Sequence, residues 1–205
     1  MRRPLVPTAL AVVLIAWVSL PAHAGITGWA CAPDSDGAID CVASWDPNTY
    51  EMTMTGNQYS SPGHMEGSFT TDPNDPTVTM ITFVDNDTSF TWTGFTVNVY
   101  MDTAFTLSNA VVYGPSGWSA GLTQPAGSPS TIYDADGRLW SYMGTAAYSG
   151  GTSVPNDGST LSFGYKMAFT GSIQFEQEMI PIPEPAALAV LGAGGLFLLR
   201  RRRGA

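Results

Sequence analysis

The chain has 205 residues, 44% of them hydrophobic, and a formal net charge of −9. Six of its eight basic residues sit at the two ends, so the stretch from Gly25 to Ile182 keeps only Arg138 and Lys166 against sixteen carboxylates, a balance of −14. A surface of that sign has no basic stripe to displace counterions from phosphates, which excludes nucleic acid as a partner; it suits solubility, repulsion from anionic surfaces or cation binding.

The N-terminus reads as an export signal. Arg2 and Arg3 form a basic start, Ala9 to Leu20 an apolar run, and Pro21 breaks it before Ala22-His23-Ala24. The run is about 12 residues, short of the roughly 20 that span a bilayer, and small-x-small is the pattern that signal peptidase reads. Residues 1–24 are therefore a signal peptide, cut between Ala24 and Gly25. Export places Cys31 and Cys41, the two cysteines of the chain, in an oxidising compartment. The expectation is one disulfide closing a short loop, worth about 2–3 kcal/mol in the chain-entropy model. Their spacing is not C-x-x-C, so a metal or redox pair has no support.

From residue 25 to 178 the chain is rich in Thr, Ser, Gly and aromatics and poor in strong helix formers, a composition that favours strands. Turn signals recur, among them Asp34-Ser35-Asp36-Gly37, Ser61-Pro62-Gly63, Asp134-Ala135-Asp136-Gly137 and Pro155-Asn156-Asp157-Gly158. Between them Tyr50 to Thr55, Thr77 to Val84 and Leu161 to Phe169 alternate in period two. In the second, Val78, Met80 and, after a slip of phase, Phe83 are the expected inward set. Phe90 to Tyr100 shifts phase at Thr93-Gly94, which predicts a β-bulge. Gly144 to Ser159 reads as a loop, and Gln177 to Pro183, with prolines at 181, 183 and 185, as an extended linker. The expected fold is all-β: an antiparallel β-sandwich, jelly-roll or immunoglobulin-like, over residues 25–178, followed by linker and tail over 179–205 and one C-terminal transmembrane helix.

No residue set in this domain spells catalysis. His64, beside Pro62 and Gly63, reads as a solvated loop residue, and no nucleophile elbow, phosphate-cradling loop or His-Glu-x-x-His motif is present. Paired aspartates such as Asp85 and Asp87 are ordinary turn chemistry, so a hydrolase ranks third among the readings. No cofactor is expected. Calcium is the one metal to consider, with Asp34, Asp36, Asp134 and Asp136 as its weak candidates, because each pair sets oxygens on a sharp turn without completing a calcium loop. Asn86-Asp87-Thr88 matches a glycosylation sequon and carries no weight. Trp29, Trp45, Trp92, Trp118 and Trp140 raise the alternative of a carbohydrate-binding module, which predicts tryptophans lined along an exposed sheet face, with Trp92 assigned to the core.

The tail completes the sequence. Pro183, Glu184 and Pro185 precede an apolar and small-residue run over 186–199, and Arg200, Arg201, Arg202 and Arg203 follow. As a helix the run covers about 21 Å, against a hydrocarbon core of about 30 Å. The arginines can snorkel and the bilayer can thin to close the gap. Their charge fixes the C-terminus in the cytoplasm. This tail resembles the PEP-CTERM signal of bacterial exported proteins. The resemblance implies that signal peptidase and an exosortase of the inner membrane are partners, and that Pro183-Glu184-Pro185 is recognised for processing. It implies an exported, non-enzymatic envelope protein, first anchored in the inner membrane by the C-terminal helix and then at the cell surface or outside the cell. Such proteins are associated with extracellular polysaccharide or biofilm material.

Overall fold

The computed structural model describes residues 25–72 and 76–185. The segment read as a signal peptide (1–24) and the expected transmembrane and basic segments (186–199 and 200–203) lie outside the described residues. Among the described residues no helix is long and apolar enough to cross a membrane.

Regular structure here is strand. One sheet has six strands in the order β1 (Ile26–Pro33), β4 (Gly63–Thr71), β13 (Ile173–Pro183), β6 (Trp92–Met101), β11 (Tyr142–Val154) and β8 (Trp118–Thr123). The second has β2 (Ile39–Asp46), β3 (Glu51–Gln58), β5 (Thr77–Asn86), β12 (Thr160–Phe169) and β7 (Phe105–Gly114) in that order. A short hairpin of β9 (Ile132–Tyr133) and β10 (Leu139–Trp140) stands apart from both. The two large sheets face each other as a sandwich, and their rings meet between them. Phe69 of β4 stacks on Phe169 of β12 with centroids 5.8 Å apart, and Tyr148 of β11 meets Phe163 of β12 at 4.6 Å. Pairing is antiparallel except between β3 and β5, which run parallel. The five-stranded sheet is therefore mixed, where alternation alone had suggested a purely antiparallel one.

Alternation builds the core as expected in β12, where Leu161, Phe163, Tyr165, Met167 and Phe169 are all buried. The bulge is present too: Ile182 pairs with Gly94 but Pro183 with Trp92, leaving Thr93 extra. That residue brings both Trp92 and Phe95 inward, with ring centroids 5.2 Å apart. β5 departs from its reading. It keeps one phase from Val78 through Met80, Thr82 and Val84 to Asn86, and Phe83 points outward. The inward place between Met80 and Val84 is taken by Thr82, which is 3% exposed, and not by a phase slip to Phe83.

Three further expectations are corrected. Residues 144–154, read as loop, belong to β11; a Cβ at Gly150 would run into the indole of Trp118 across the strand pair, so glycine there makes room for a ring. Residues 177–183, read as linker, are the second half of β13, in which Gln177 and Met179 are buried. Beyond Met179 this strand has a ladder partner only on the β6 side, so Pro181 sits where a missing N–H breaks no pairing. Finally, Cys31 and Cys41 are free thiols, without the expected disulfide. Cys31 packs against the core and Cys41 lies in it, each serving as a small apolar side chain. Burial pushes the Cys31 thiol up to about 12, which suppresses the thiolate that disulfide exchange needs.

The sequon residues Asn86 and Thr88 are buried and form the joint of one end of the sandwich. Asn86 Nδ2 donates to the carbonyls of Phe90 (3.0 Å) and Val154 (2.8 Å). Its Oδ1 accepts from the Thr88 amide (3.1 Å) and hydroxyl (2.7 Å), and Thr88 Oγ1 accepts from Trp92 Nε1 at 3.0 Å. Asn86→Ala strands several of these partners and is expected to cost about 2–4 kcal/mol, read as a lowered denaturant midpoint; an unchanged midpoint would show the joint to be dispensable.

Candidate functional site

The outward face of the six-stranded sheet is acidic where three strands run side by side. Residues paired across a ladder share a face. Glu66 of β4, Glu176 of β13 and Tyr100 of β6 are paired in one row, and His64, Glu178 and Asn98 in the next. The opposite face of the same strands carries Met65, Phe69, Phe175, Met179, Val97 and Val99 into the core. The alternation that builds the interior thus also lines up the acids.

The β9–β10 hairpin covers this face. Its turn is built on Asp134, whose Oδ1 accepts from the amides of Asp136 (3.0 Å) and Arg138 (2.8 Å) and whose Oδ2 accepts from Trp140 Nε1 at 2.7 Å. Gly137 closes it at φ 82°, the left-handed region that favours glycine. Trp140 stacks on Tyr100 at 6.2 Å, and the Arg138 guanidinium lies 4.2 Å above the Trp140 ring. Arg138 also reaches Glu66 at 2.8 Å and Gln174 at 3.1 Å. The Ala135 amide donates to Glu178 Oε1 at 3.2 Å. Beside the hairpin, the β1–β2 turn repeats the same Asp-x-Asp-Gly pattern. Ala38 N donates to Asp36 Oδ1 at 2.7 Å, Gly37 has φ 77°, and Asp34 N donates to the carbonyl of His64 at 3.2 Å.

His64 lies between the two turns. Its Nδ1 is 3.3 Å from Asp34 Oδ2 and 2.8 Å from Asp136 Oδ2, and its Nε2 is 3.6 Å from Glu178 Oε1. Far from being a solvated loop residue, it is 1% exposed on β4. Its ring is held at a pKa of about 9, chiefly by Glu178 and further by Asp136 and Glu176, against the opposing effect of burial. Burial would raise Glu178, but His64, Asn98, Tyr100 and the Ala135 amide outweigh it and hold the carboxyl at about 2. Glu176 goes the other way: burial first and Asp134 next push it up to about 8. Burial and Asp36 raise Asp34, and the Ala38 amide, Asp34 and His64 lower Asp36 against burial.

Three of the four calcium candidates, Asp34, Asp36 and Asp136, therefore meet at His64, although about a hundred residues separate the two turns, while Asp134 is engaged by its own turn and Trp140. The donor set is not the one expected, since an imidazole stands among the oxygens. Alternation in β13 could have found Glu176 and Glu178: Ile173 and Phe175 inward place 176 and 178 outward. No family model, curated protein or solved structure matches this chain.

The tryptophans do not form a row. Trp92 and Trp140 are buried, Trp45 and Trp118 half-buried, and Trp29 on the edge strand β1 is 40% exposed. Trp29 borders an open groove of about 580 Å³ with Glu66, Arg138 and Gln174. Of the sorting residues, Pro183 ends β13, its carbonyl accepting from Thr93 Oγ1 at 3.3 Å, and Glu184 N donates to the Thr91 carbonyl at 3.2 Å. Arg200, Arg201, Arg202 and Arg203 and the cleavage residues Ala22 and Ala24 lie outside the described residues.

Proposed function

We propose that this chain is an exported, non-enzymatic envelope protein: a sandwich of the jelly-roll or immunoglobulin-like kind, sorted by an exosortase through a PEP-CTERM tail. The observation that carries the reading is the order of parts at the C-terminus, Pro-Glu-Pro, apolar run, four arginines. The fold adds support of position. β13 lies inside the six-stranded sheet and ends at Pro183, so the tripeptide leaves the rim of the domain without a spacer, where a membrane enzyme meets a rigid neighbour. Signal peptidase removes 1–24, and the arginines hold the apolar run in the inner membrane until processing releases the domain to the surface or to extracellular polysaccharide.

The buried acids speak for structure over turnover. A hydrolase needs converging carboxylates in a cleft. Here they converge under a hairpin that leaves Glu176 at 2% and Glu178 at 4% exposure. The carbohydrate-binding alternative keeps one favourable observation, Trp29 beside the polar groove.

The reading is tested by replacing Arg200, Arg201, Arg202 and Arg203 together with alanine. Without a cationic stop the tail passes through the membrane. The expected result is a protein lost from the inner-membrane fraction and still carrying residues 186–205. Unchanged distribution and mass would contradict the role given to the arginines.

A further inference from the structure

The outward face of the five-stranded sheet has none of this domain's acidity at its centre. Alternation in β5 turns Val78, Met80, Thr82 and Val84 to the core and leaves Thr79, Ile81, Phe83 and Asp85 outside. In the outward rows Thr53–Ile81–Gly164 and Thr55–Phe83–Ser162, paired from β3 through β5 to β12, no side chain is charged. Val42 of β2, at 74% exposure, Phe83, and Val111 and Tyr113 of β7, the last at 55%, stand open on that face. A Cβ at Gly164 would meet the Tyr113 ring at 3.2 Å, so the ring lies down on β12 and keeps the face flat. An apolar patch of this kind, rimmed by polar residues, marks an interaction site.

A second observation concerns the charges beside the patch. Glu51, Thr79 and Lys166 share the next outward row, on β3, β5 and β12. The backbone positions of acid and base are two strand spacings apart, about 9.6 Å. Among the described residues neither has an ion-pair partner; the ion pairs there are those of His64 and Arg138. Lys166 instead borders an open hollow of about 430 Å³ with Thr79, Asn109, Val111 and Tyr113.

We propose that this face binds a second copy of the chain, sheet against sheet, about a two-fold axis running along β5. β5 is the middle strand of five, so such an axis exchanges β3 with β12 and β2 with β7. Lys166 then meets the partner's Glu51, and Glu51 the partner's Lys166, each carboxylate entering the hollow beside a lysine. Phe83 and Ile81 lie on the axis and pack on their own counterparts, and Val42 comes against the partner's Tyr113. Asp46, at the β2 end of the charged row, comes over the partner's Ser108. Asp85, also on β5, is drawn toward β12 by the Thr160 hydroxyl and so off the axis. Aligned sheets pack about 10 Å apart, within reach of these side chains. At about 4.8 Å between strands and about 3.3 Å per residue, the five strands over Thr79 to Asp85 offer roughly 550 Å² per copy, so a pair covers about 1,100 Å², above the ~1,000 Å² that a specific interface needs. One acid and one base set at equal distances on either side of β5 complement themselves, which selects a second copy as the occupant. This inference does not depend on how the tail is handled.

The test is sedimentation velocity of the full-length chain in mild detergent at concentrations up to about 100 µM. A dimer is expected. Lys166→Glu and Glu51→Lys each set like charges opposite one another and should weaken it about tenfold or more, while the two together should restore it. Phe83→Asp, which brings carboxylate against carboxylate on the axis, should leave a monomer. Melting temperatures check that each variant folds; should Phe83→Asp fail to, the charge exchange decides alone. A dimer held by the tail keeps its affinity in every variant, and that result overturns the proposal. So does a monomer at all concentrations, or a double variant no tighter than either single one.

Discussion

Glu178→Ala will lower the unfolding free energy by about 3–5 kcal/mol, the cost of breaking a buried charged network from one side. Glu178 Oε2 accepts from Asn98 Nδ2 at 2.7 Å and Tyr100 Oη at 2.9 Å, and Oε1 accepts from the Ala135 amide while facing His64. Alanine leaves three donors and a protonated ring without their acceptor beneath the hairpin, where Tyr100 and His64 are buried and Asn98 is half-buried. Hairpin and sheet then lose their common anchor, since Ala135 belongs to one and Asn98 and Tyr100 to the other. Glu178→Gln keeps the shape and one acceptor oxygen and should cost less than alanine. Denaturant unfolding of both variants reads the effect. A loss below about 1 kcal/mol for alanine would mean that the network contributes no more than an exposed pair.

The protein will lose stability as pH rises from about 5 to 9, most steeply between 6.5 and 8. His64, at about 9 when folded against 6.5 ordinarily, contributes stability that is complete below pH 6.5 and lost as pH rises through 9. Glu176, at about 8 against 4.5, keeps its proton in the folded protein after the unfolded chain has released it, so its cost grows from pH 4.5 to 8. The two windows overlap between 6.5 and 8. Glu178, at about 2 against 4.5, contributes stability above pH 4.5 that is lost as pH falls toward 2, which sets the acid limit. Melting temperatures across pH 4–10 check the profile. A flat or rising trend from 6.5 to 8 would contradict it, and His64→Gln should shallow the alkaline slope.

The strands were legible because alternation is local. Leu161 to Phe169 declares its buried face residue by residue, and the phase change at Thr93-Gly94 marks the bulge. The parallel pairing of β3 with β5 was not legible, because nothing in either strand names its neighbour. Proline hid the end of β13: at 181 it argues against a strand unless one side is known to lack a partner, and that depends on where β4 stops. Glycine hid β11, since only the position of Trp118 explains Gly150. The two Asp-x-Asp-Gly turns were found as turns, but their meeting at His64 is a long-range consequence of β1, β4 and β13 lying side by side. His64 itself, next to Pro62 and Gly63, carried a loop signal although it begins β4 and is buried by the hairpin.

The intact mass of the native protein in each fraction of the producing cells tests the proposed sorting role of the tail most directly. The predicted result is a surface or extracellular species that starts at Gly25 and ends close to Pro183-Glu184-Pro185, without the apolar run and its arginines. A single species that keeps residues 186–205 and stays in the inner membrane of cells equipped with an exosortase would contradict it.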